Sequence, residues 1–384
     1  MKFNRRGRTT EESLTIVHFI TTIERGGAEN QLLILSKHQV SQGHKVTVYF
    51  LKGKPELQYE FEKIGTSVNN KLANQRFVNQ VVRLRRTQFT DNTIFHAHLP
   101  QAEILLKYGL TRNKHKCISR HYGGKFYPKI PNIFSVFLSR MVTWNIPIII
   151  APSNFTIDYL YQSKEVNKKK KIHLASYGFS KDDFLKQKNH FPDKATNTLK
   201  VATVGTVGRL SGEKDYPTIL QAFAKVARER QDVRLRIVGS GPLESQLKIL
   251  ADSLGISKSV DWVGRTGDIA GFMSSLEIFV LASRFEGFGM VLLEAMASNL
   301  KIIASDAPTC LEVLGEDGVA SFFRRGNSEE LSRQILNKLD ETDNASLERE
   351  VRLNQYNILD SGKIIEDLYH SFSTNIGRTR FSQD

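Results

Sequence analysis

The chain has 384 residues, 54 Lys+Arg against 40 Asp+Glu and a formal net charge of +14. That length suggests two domains of about 100–200 residues each. A composition of 40% hydrophobic residues with 26 Gly and 10 Pro excludes collagen-like and wholly disordered classes, and two cysteines exclude a disulfide framework or a four-Cys zinc site.

The charge is unevenly distributed. Residues 1–175 carry 28 Lys+Arg and 11 Asp+Glu, whereas residues 176–384 carry 26 and 29. The whole surplus lies in the first half, which points to a partner surface there. No run reaches the roughly 18–20 apolar residues that span a bilayer. The basic segment 1–8 is followed by Thr9-Thr10-Glu11-Glu12 rather than an apolar run, so no secretory leader is expected. With its scarcity of cysteine, the chain reads as cytoplasmic.

Short apolar runs alternate with longer amphipathic ones. Residues 14–20 predict a strand, 21–30 a loop holding Gly26-Gly27, and 31–42 a helix with Gly43 as its C-cap. Residues 45–51 return to strand character through Val46, Val48 and Phe50. This β-loop-α-β unit is the building block of a parallel sheet. Strands follow at 93–98 and 117–121, around a helix at 101–109. Next come a helix over 130–144, a strand at 148–151, a helix to Gln162 and a short strand at 171–176. Residues 186–199 are polar, without apolar period, and predict a linker. Beyond it, strands at 200–206, 233–239, 260–263, 278–282 and 301–304 alternate with helices at 216–230, 243–254, 269–275, 290–298 and 329–339. Segment 352–373 is again helical. The expected fold is α/β, with two Rossmann-like doubly wound domains facing a central cleft. The first spans 1–185 and is completed by helix 352–373; the second spans 200–351.

The sharpest local feature follows the strand at 278–282. It runs Ser283-Arg284-Phe285-Glu286-Gly287-Phe288-Gly289-Met290-Val291-Leu292-Leu293-Glu294 and opens a helix. Ligands of open α/β sheets bind at the carboxyl ends of strands. A Gly-x-Gly turn admits close backbone approach, and the N–H groups of Gly289, Met290 and Val291 at a helix start attract an anion such as a diphosphate. Glu286 and Glu294 could accept hydrogen bonds from ribose or sugar hydroxyls. A second piece, Gly208-Arg209-Leu210-Ser211-Gly212-Glu213-Lys214-Asp215, also follows a strand. Its Arg209 can grip phosphate in a bidentate way, and Lys214 adds a point charge. In the first half, His96-Ala97-His98 invites a metal reading. With no cysteine or carboxylate cluster beside it, no metal site is expected.

Glu286 to Glu294 is a Glu-x7-Glu motif. With Gly208-Arg209, Lys214 and the Gly26-Gly27-Ala28-Glu29 that follows the first strand, it makes the chain resemble glycosyltransferases of family 4 (glycosyl transferases group 1), which have the GT-B fold. The resemblance extends from about residue 14 to 373. It implies retaining transfer of a hexose or N-acetylhexosamine from a nucleotide-sugar, UDP-linked by default. The implied acceptor is a lipid-linked or cell-envelope glycan of lipopolysaccharide, capsule or exopolysaccharide type. By resemblance, Arg209 and Lys214 hold the diphosphate and stabilise charge on the leaving group, so neither metal nor other cofactor is expected. The sequence has no Asp-x-Asp signature, in keeping with this. The resemblance further implies that Glu286 meets donor-sugar hydroxyls in a pocket completed by Gly287, Phe288, Gly289, Met290 and Val291. Glu294 would meet the ribose, with Gly208 in the phosphate loop and Gly264-Arg265 near the base. Gly26 and Gly27 would let their loop approach the diphosphate, and His121 would lie near the donor sugar and the reacting centre. His98 reads either as an acceptor-side residue or as plain structure. No catalytic base is nominated, because the leaving phosphate can take the acceptor's proton.

The basic clusters of the first half are Arg83-Leu84-Arg85-Arg86 and those within 112–116, 125–129 and 168–171. Helix 130–144 carries Ile133, Phe134, Phe137, Leu138, Met141 and Trp144, most of which are expected to seat on the sheet. An anionic leaflet attracts such clusters by about 1 kcal/mol per basic residue near the surface. Peripheral attachment to the cytoplasmic face of a membrane is therefore expected; no nucleic-acid recognition motif is present. Two other readings are a sugar-nucleotide epimerase of the same architecture and a non-catalytic protein binding anionic surfaces or nucleic acid.

Overall fold

The computed structural model describes residues 13–111, 115–121, 126–127, 130–188 and 201–378. The expected linker beyond Lys188, Arg112 and Lys114 of one basic cluster, and Lys125 and Lys129 of another lie outside the described residues. The chain divides into two compact units, Met1–Gly178 with Ile358–Asp384, and Phe179–Asn357.

The first unit holds strands β1 (Thr15–Ile20), β2 (Lys45–Phe50), β3 (Ser67–Asn69), β4 (Thr93–His98), β5 (Lys116–Ser119), β6 (Ile148–Ala151) and β7 (Ile172–Leu174). They form one parallel sheet in the order β3-β2-β1-β4-β5-β6-β7. The second holds β8 (Ala202–Val207), β9 (Val233–Val238), β10 (Val260–Gly264), β11 (Ile278–Leu281), β12 (Lys301–Ser305) and β13 (Ser321–Phe323). These also pair in parallel, in the order β10-β9-β8-β11-β12-β13. Parallel strands are joined by helical crossovers that cover both faces, so central strands are near-continuous apolar runs. All residues of β6 and β11 are buried. In each sheet the winding direction reverses beside the first strand, between β1 and β4 and between β8 and β11. Those reversals are where open α/β sheets receive ligands. The architecture is the doubly wound α/β fold expected, present twice.

Several boundaries differ from expectation. Helix Gly27–Ser41 starts four residues earlier than 31, on Gly27 itself, with extended Gly26 as its N-cap. Glu29 in its first turn accepts a hydrogen bond from Thr22 Oγ1 at 2.5 Å. β5 ends at Ser119, so His121 lies beyond the strand rather than at its end. Residues 181–185, within the span expected for the first domain, form a short helix, Lys181–Leu185, that belongs to the second unit. The tail expected as one helix over 352–373 is two, Ser346–Asn354 and Ile358–Arg378. Between them Tyr356 O accepts from Phe179 N at 2.7 Å, and Asn357 bridges to Phe179, which removes these residues from a helical ladder. The chain then returns to the first unit, where Ile365, Tyr369 and Phe372 join a core of Leu14, Ile16, Ile94 and Ile150. Gly178 has to be a glycine: a Cβ there would lie 2.7 Å from Ile358 Cα.

Helix Asn132–Thr143 overturns another expectation. Ile133, Phe134, Phe137 and the following Trp144 are 74%, 62%, 66% and 76% exposed. Its buried face is instead Ser135, Ser139, Val142 and Thr143. The inward hydroxyls have partners that bind this face. Tyr127 N donates to Ser135 Oγ at 2.8 Å, and Ser139 Oγ donates to Glu165 O at 3.0 Å.

Candidate functional site

In the second unit, β8 and β11 lie side by side, with Val204 opposite Ile278. The loop after β8 makes a one-turn 3-10 helix, Gly212–Lys214; the loop after β11 leads into helix Met290–Ala297. The two loops are tied together. Lys214 Nζ forms an ion pair with Glu286 Oε1, and Ser283 Oγ donates to that same oxygen at 2.6 Å. Arg284 donates through Nε to Asp215 Oδ2 at 3.0 Å and through its backbone N–H to Glu213 O at 2.8 Å. Thr309 Oγ1 fixes the backbone of Glu286 by donating to its carbonyl at 3.0 Å.

The loop after β9 closes on the first of these. Tyr216 OH and Leu210 N donate to Gly208 O and Ser240 O at 2.9 and 3.0 Å. A Cβ on Gly239 would lie 1.9 Å from Gly208 O, so only glycine allows this approach. Arg209 is presented on this strapped loop, exposed and, among the described residues, without a side-chain partner. Gly239 N donates to Gly264 O at 2.8 Å, which joins the end of β10 and the exposed Arg265 to the same edge.

Gly289 has φ +85 and caps helix Met290–Ala297; Gly287, Phe288, Met290 and Val291 flank it. Phe288 is buried edge-on against Tyr356, ring centroids 5.5 Å apart. Glu294 is half-buried, and burial pushes its carboxyl up to about 7. Among the described residues its side chain has no hydrogen-bond partner, so it is an open acceptor. Cys310 is buried, and its thiol is pushed up to about 12 by burial and then by the Glu286 charge. The edge thus offers the cations Arg209, Lys214 and Arg265, a helix start and two carboxylates, a set that suits a phosphorylated, hydroxyl-bearing ligand.

The histidines expected at the site lie in the first unit. They belong to a buried network that also includes His18 on β1 and His96 on β4. Gln39 Oε1 is 2.8 Å from His18 Nε2; His18 Nδ1 is 3.0 Å from His98 Nε2. His98 Nδ1 is 2.8 Å from His121 Nε2, whose Nδ1 is 2.5 Å from Tyr177 OH. With the amide oxygen of Gln39 facing His18, one set of protons satisfies the chain. Each imidazole is neutral, carries its proton on Nε2 and accepts at Nδ1. His96 completes the cluster through Tyr369 OH at 2.6 Å and Ser119 Oγ at 2.7 Å. Burial pushes His18 down to about 4 and His121 to about 3, and holds His96 and His98 well below the usual imidazole range.

This alters two expectations. His98 is 1% exposed with both nitrogens engaged, so it supports His121 and offers nothing to an acceptor. His121 also has both nitrogens engaged. Ring nitrogens of His18, His96 and His98 lie within 4.8 Å of one another, a spacing that a metal could bridge. Each of those nitrogens already has a protein partner, which an ion would have to displace. Glycine at position 26 leaves room for the Glu29 carboxylate: a Cβ would lie 2.5 Å from Glu29 Oε2.

Sequence reasoning missed Tyr216, and also Thr309, His18, Gln39 and Tyr177, whose partners lie 21 to 80 residues away in the chain. Gly239-Ser240-Gly241, directly after a strand, was a signal that could have been read.

Residues 187–358 match the family model of glycosyl transferases group 1, and residues 25–180 match that of glycosyltransferase family 4. The chain belongs to this glycosyltransferase family. An uncharacterized glycosyltransferase of Haemophilus influenzae is 34% identical to this family member over 145 residues, covering 38% of this chain and 41% of that protein. A second relative is the N-acetylgalactosamine-N,N'-diacetylbacillosaminyl-diphospho-undecaprenol 4-alpha-N-acetylgalactosaminyltransferase of Campylobacter jejuni. It is 31% identical over 120 residues, covering 31% of this chain and 32% of that protein. The matched stretches therefore span less than half the length of these relatives. Anabaena HepE, crystallised with UDP and glucose, superposes with a TM-score of 0.78 at 18% identity, covering 93% of this chain and 100% of that one. The fold is GT-B.

Proposed function

We propose that this family member transfers a hexose or N-acetylhexosamine, with retention, from a UDP-sugar to a lipid-linked or cell-envelope glycan. The observation that carries the reading is the Lys214–Glu286 pair beside Arg209, at the sheet edge where the winding reverses. Breaking the bond to the donor sugar leaves negative charge on the diphosphate. Lys214, held by Glu286, and Arg209, presented on the strapped loop, are cations for that charge, a role that asks for no divalent ion. Glu286, held by Lys214, Ser283 and Thr309, has a carboxylate oxygen for sugar hydroxyls. Glu294 is the acceptor for ribose hydroxyls, and the start of helix Met290–Ala297 faces the phosphates. The acceptor hydroxyl attacks the anomeric carbon on the face the nucleotide leaves, and its proton passes to the departing phosphate. The UDP and glucose in HepE and the diphospho-undecaprenol in the name of the Campylobacter relative support the donor and acceptor classes.

His121 takes a narrower role than its resemblance implied. Its Nε2 proton is given to His98, so the nitrogen it can turn to a sugar is Nδ1, an acceptor, in exchange for the Tyr177 hydroxyl. The basic first unit suits a membrane-borne acceptor.

The test is incubation of the full chain with UDP-sugars and lipid-linked acceptors, in the presence of EDTA, with the anomeric configuration of the product read by NMR. Retained configuration with full activity in EDTA supports the reading. An inverted product, or an epimerised sugar from donor alone, contradicts it.

A further inference from the structure

Helix Asn132–Thr143 is amphipathic in the reverse sense for a surface helix. At helical spacing its outer side presents Ile133, Phe134 and Phe137, continued by Trp144, each more than 60% exposed. Its inner side is the hydroxyl-rich one, and those hydroxyls are spent. Ser135 accepts from Tyr127, Ser139 accepts from the buried Arg120 at 3.0 Å and donates to Glu165, and Thr143 donates to Ser139 O at 3.0 Å. The helix therefore cannot roll its aromatic side inward without breaking the bonds to Tyr127, Arg120 and Glu165. Three large apolar groups and a tryptophan on one patch mark an interaction surface rather than scattered exposure.

The charge around the patch identifies its partner. Residues 92–157 contain eight Lys or Arg and one acidic residue, Glu103; of the eight, Lys116 and Arg120 are buried, and Arg112, Lys114, Lys125 and Lys129 lie outside the described residues. Glu103 is fully buried and ion-paired with the equally buried Arg120, so neither counts at the surface. Arg140 projects into solvent from this helix, and Lys170 Nζ donates to Thr143 O and Ile146 O at 2.6 and 2.8 Å at its far end. Lys168 and Lys169, both exposed, adjoin Lys170. A second copy of the chain would bring the same positive charge against this one. Aromatic and aliphatic side chains that enter the headgroup layer, ringed by cations that meet lipid phosphates, are what an anionic bilayer selects.

We propose that the outward side of helix Asn132–Thr143, with Trp144, docks this protein on an anionic lipid bilayer. Ile133, Phe134, Phe137 and Trp144 enter the interface, and Arg140 with Lys168 and Lys169 meets the phosphates. The proposal makes specific the reading that the acceptor is membrane-borne, and rests on it for its biological sense.

The experiment uses the full chain with vesicles of phosphatidylcholine alone, or of phosphatidylcholine and phosphatidylglycerol in equal parts. Binding to the anionic vesicles, its loss at high salt, and absence from neutral ones are expected. In a Trp262→Phe background, which leaves Trp144 as the sole tryptophan, emission should shift to the blue and be quenched by brominated lipid. Phe134→Ser with Phe137→Ser should lower partitioning at least about tenfold, with melting temperature and UDP binding unchanged. Three results overturn the proposal: wild-type protein that ignores anionic vesicles, an unquenched Trp144, or a double variant that partitions like wild type. A solution dimer that dissociates in the double variant, with no vesicle binding by wild type, assigns the face to a second copy instead. Sugar transfer to a soluble acceptor by protein that ignores vesicles defeats the docking alone. Vesicle binding without any sugar transfer defeats the functional reading alone.

Discussion

The Lys214–Glu286 pair allows a double-mutant test that separates chemistry from structure. Side chains of the pair are 19% and 9% exposed. Lys214→Met leaves the Glu286 carboxylate with only the Ser283 hydroxyl of its two described side-chain partners, so the largely buried charge loses its cation. The stability cost is about 1–3 kcal/mol, which lowers the melting temperature of a unit this size by about 2–4 °C per kcal/mol. Adding Glu286→Gln removes the orphaned charge and should restore most of that loss. Activity behaves differently if both groups meet the donor. Loss of one preorganised group that stabilises transition-state charge costs about 10²–10³ in turnover, and the second substitution cannot restore it. The expected pattern is a melting temperature that recovers in the double variant while kcat/KM, followed by UDP release, stays at least about a hundredfold down. A double variant that recovers both would refute the reasoning and leave the pair as a structural tie.

Three further outcomes follow from the same geometry. Arg120 is completely buried and bonds Glu103 at 2.8 Å and Glu165 at 3.3 Å, so Arg120→Met strands two buried carboxylates and should destabilise the first unit by about 3–5 kcal/mol, read by thermal unfolding. His18 and His121 titrate near 4 and 3, below their unfolded value, so stability present at pH 7 should drain away as pH falls from about 6.5 towards 4; NMR should find both imidazoles neutral at pH 5. Glu294 has the opposite sign. Its folded value near 7 exceeds the unfolded 4.5, so Glu294→Gln should gain stability relative to wild type as pH rises from 4.5 to about 7, by about 1–3 kcal/mol in thermal melts.

Both sheets and the second-unit site were largely legible because their signals are local. Apolar runs marked β1, β6, β8 and β11, and the loops carrying Arg209, Lys214 and Glu286 follow strands directly. Short edge strands such as β3 and β13 have three residues each, too few for a pattern to stand out. Helix Asn132–Thr143 misled because apolar spacing reveals that a helix has two sides, not which side faces in. The decision was made by Arg120 and Glu165, which draw Ser139 inward from 19 and 26 residues away in sequence. The histidine network was hidden for the same reason: His18, His98 and His121 come from three segments that only the strand order β1-β4-β5 brings together.

The central claim, that the loops after β8 and β11 hold a nucleoside diphosphate through Arg209 and Lys214, is tested most directly by calorimetric titration of UDP into the full chain and into Arg209→Ala. The account predicts saturable binding by the wild type and a Kd raised about tenfold or more by loss of the arginine, a difference of about 1.4 kcal/mol or greater. No saturable binding of UDP or any other nucleoside diphosphate by the wild type, or equal affinity in the two proteins, would contradict it.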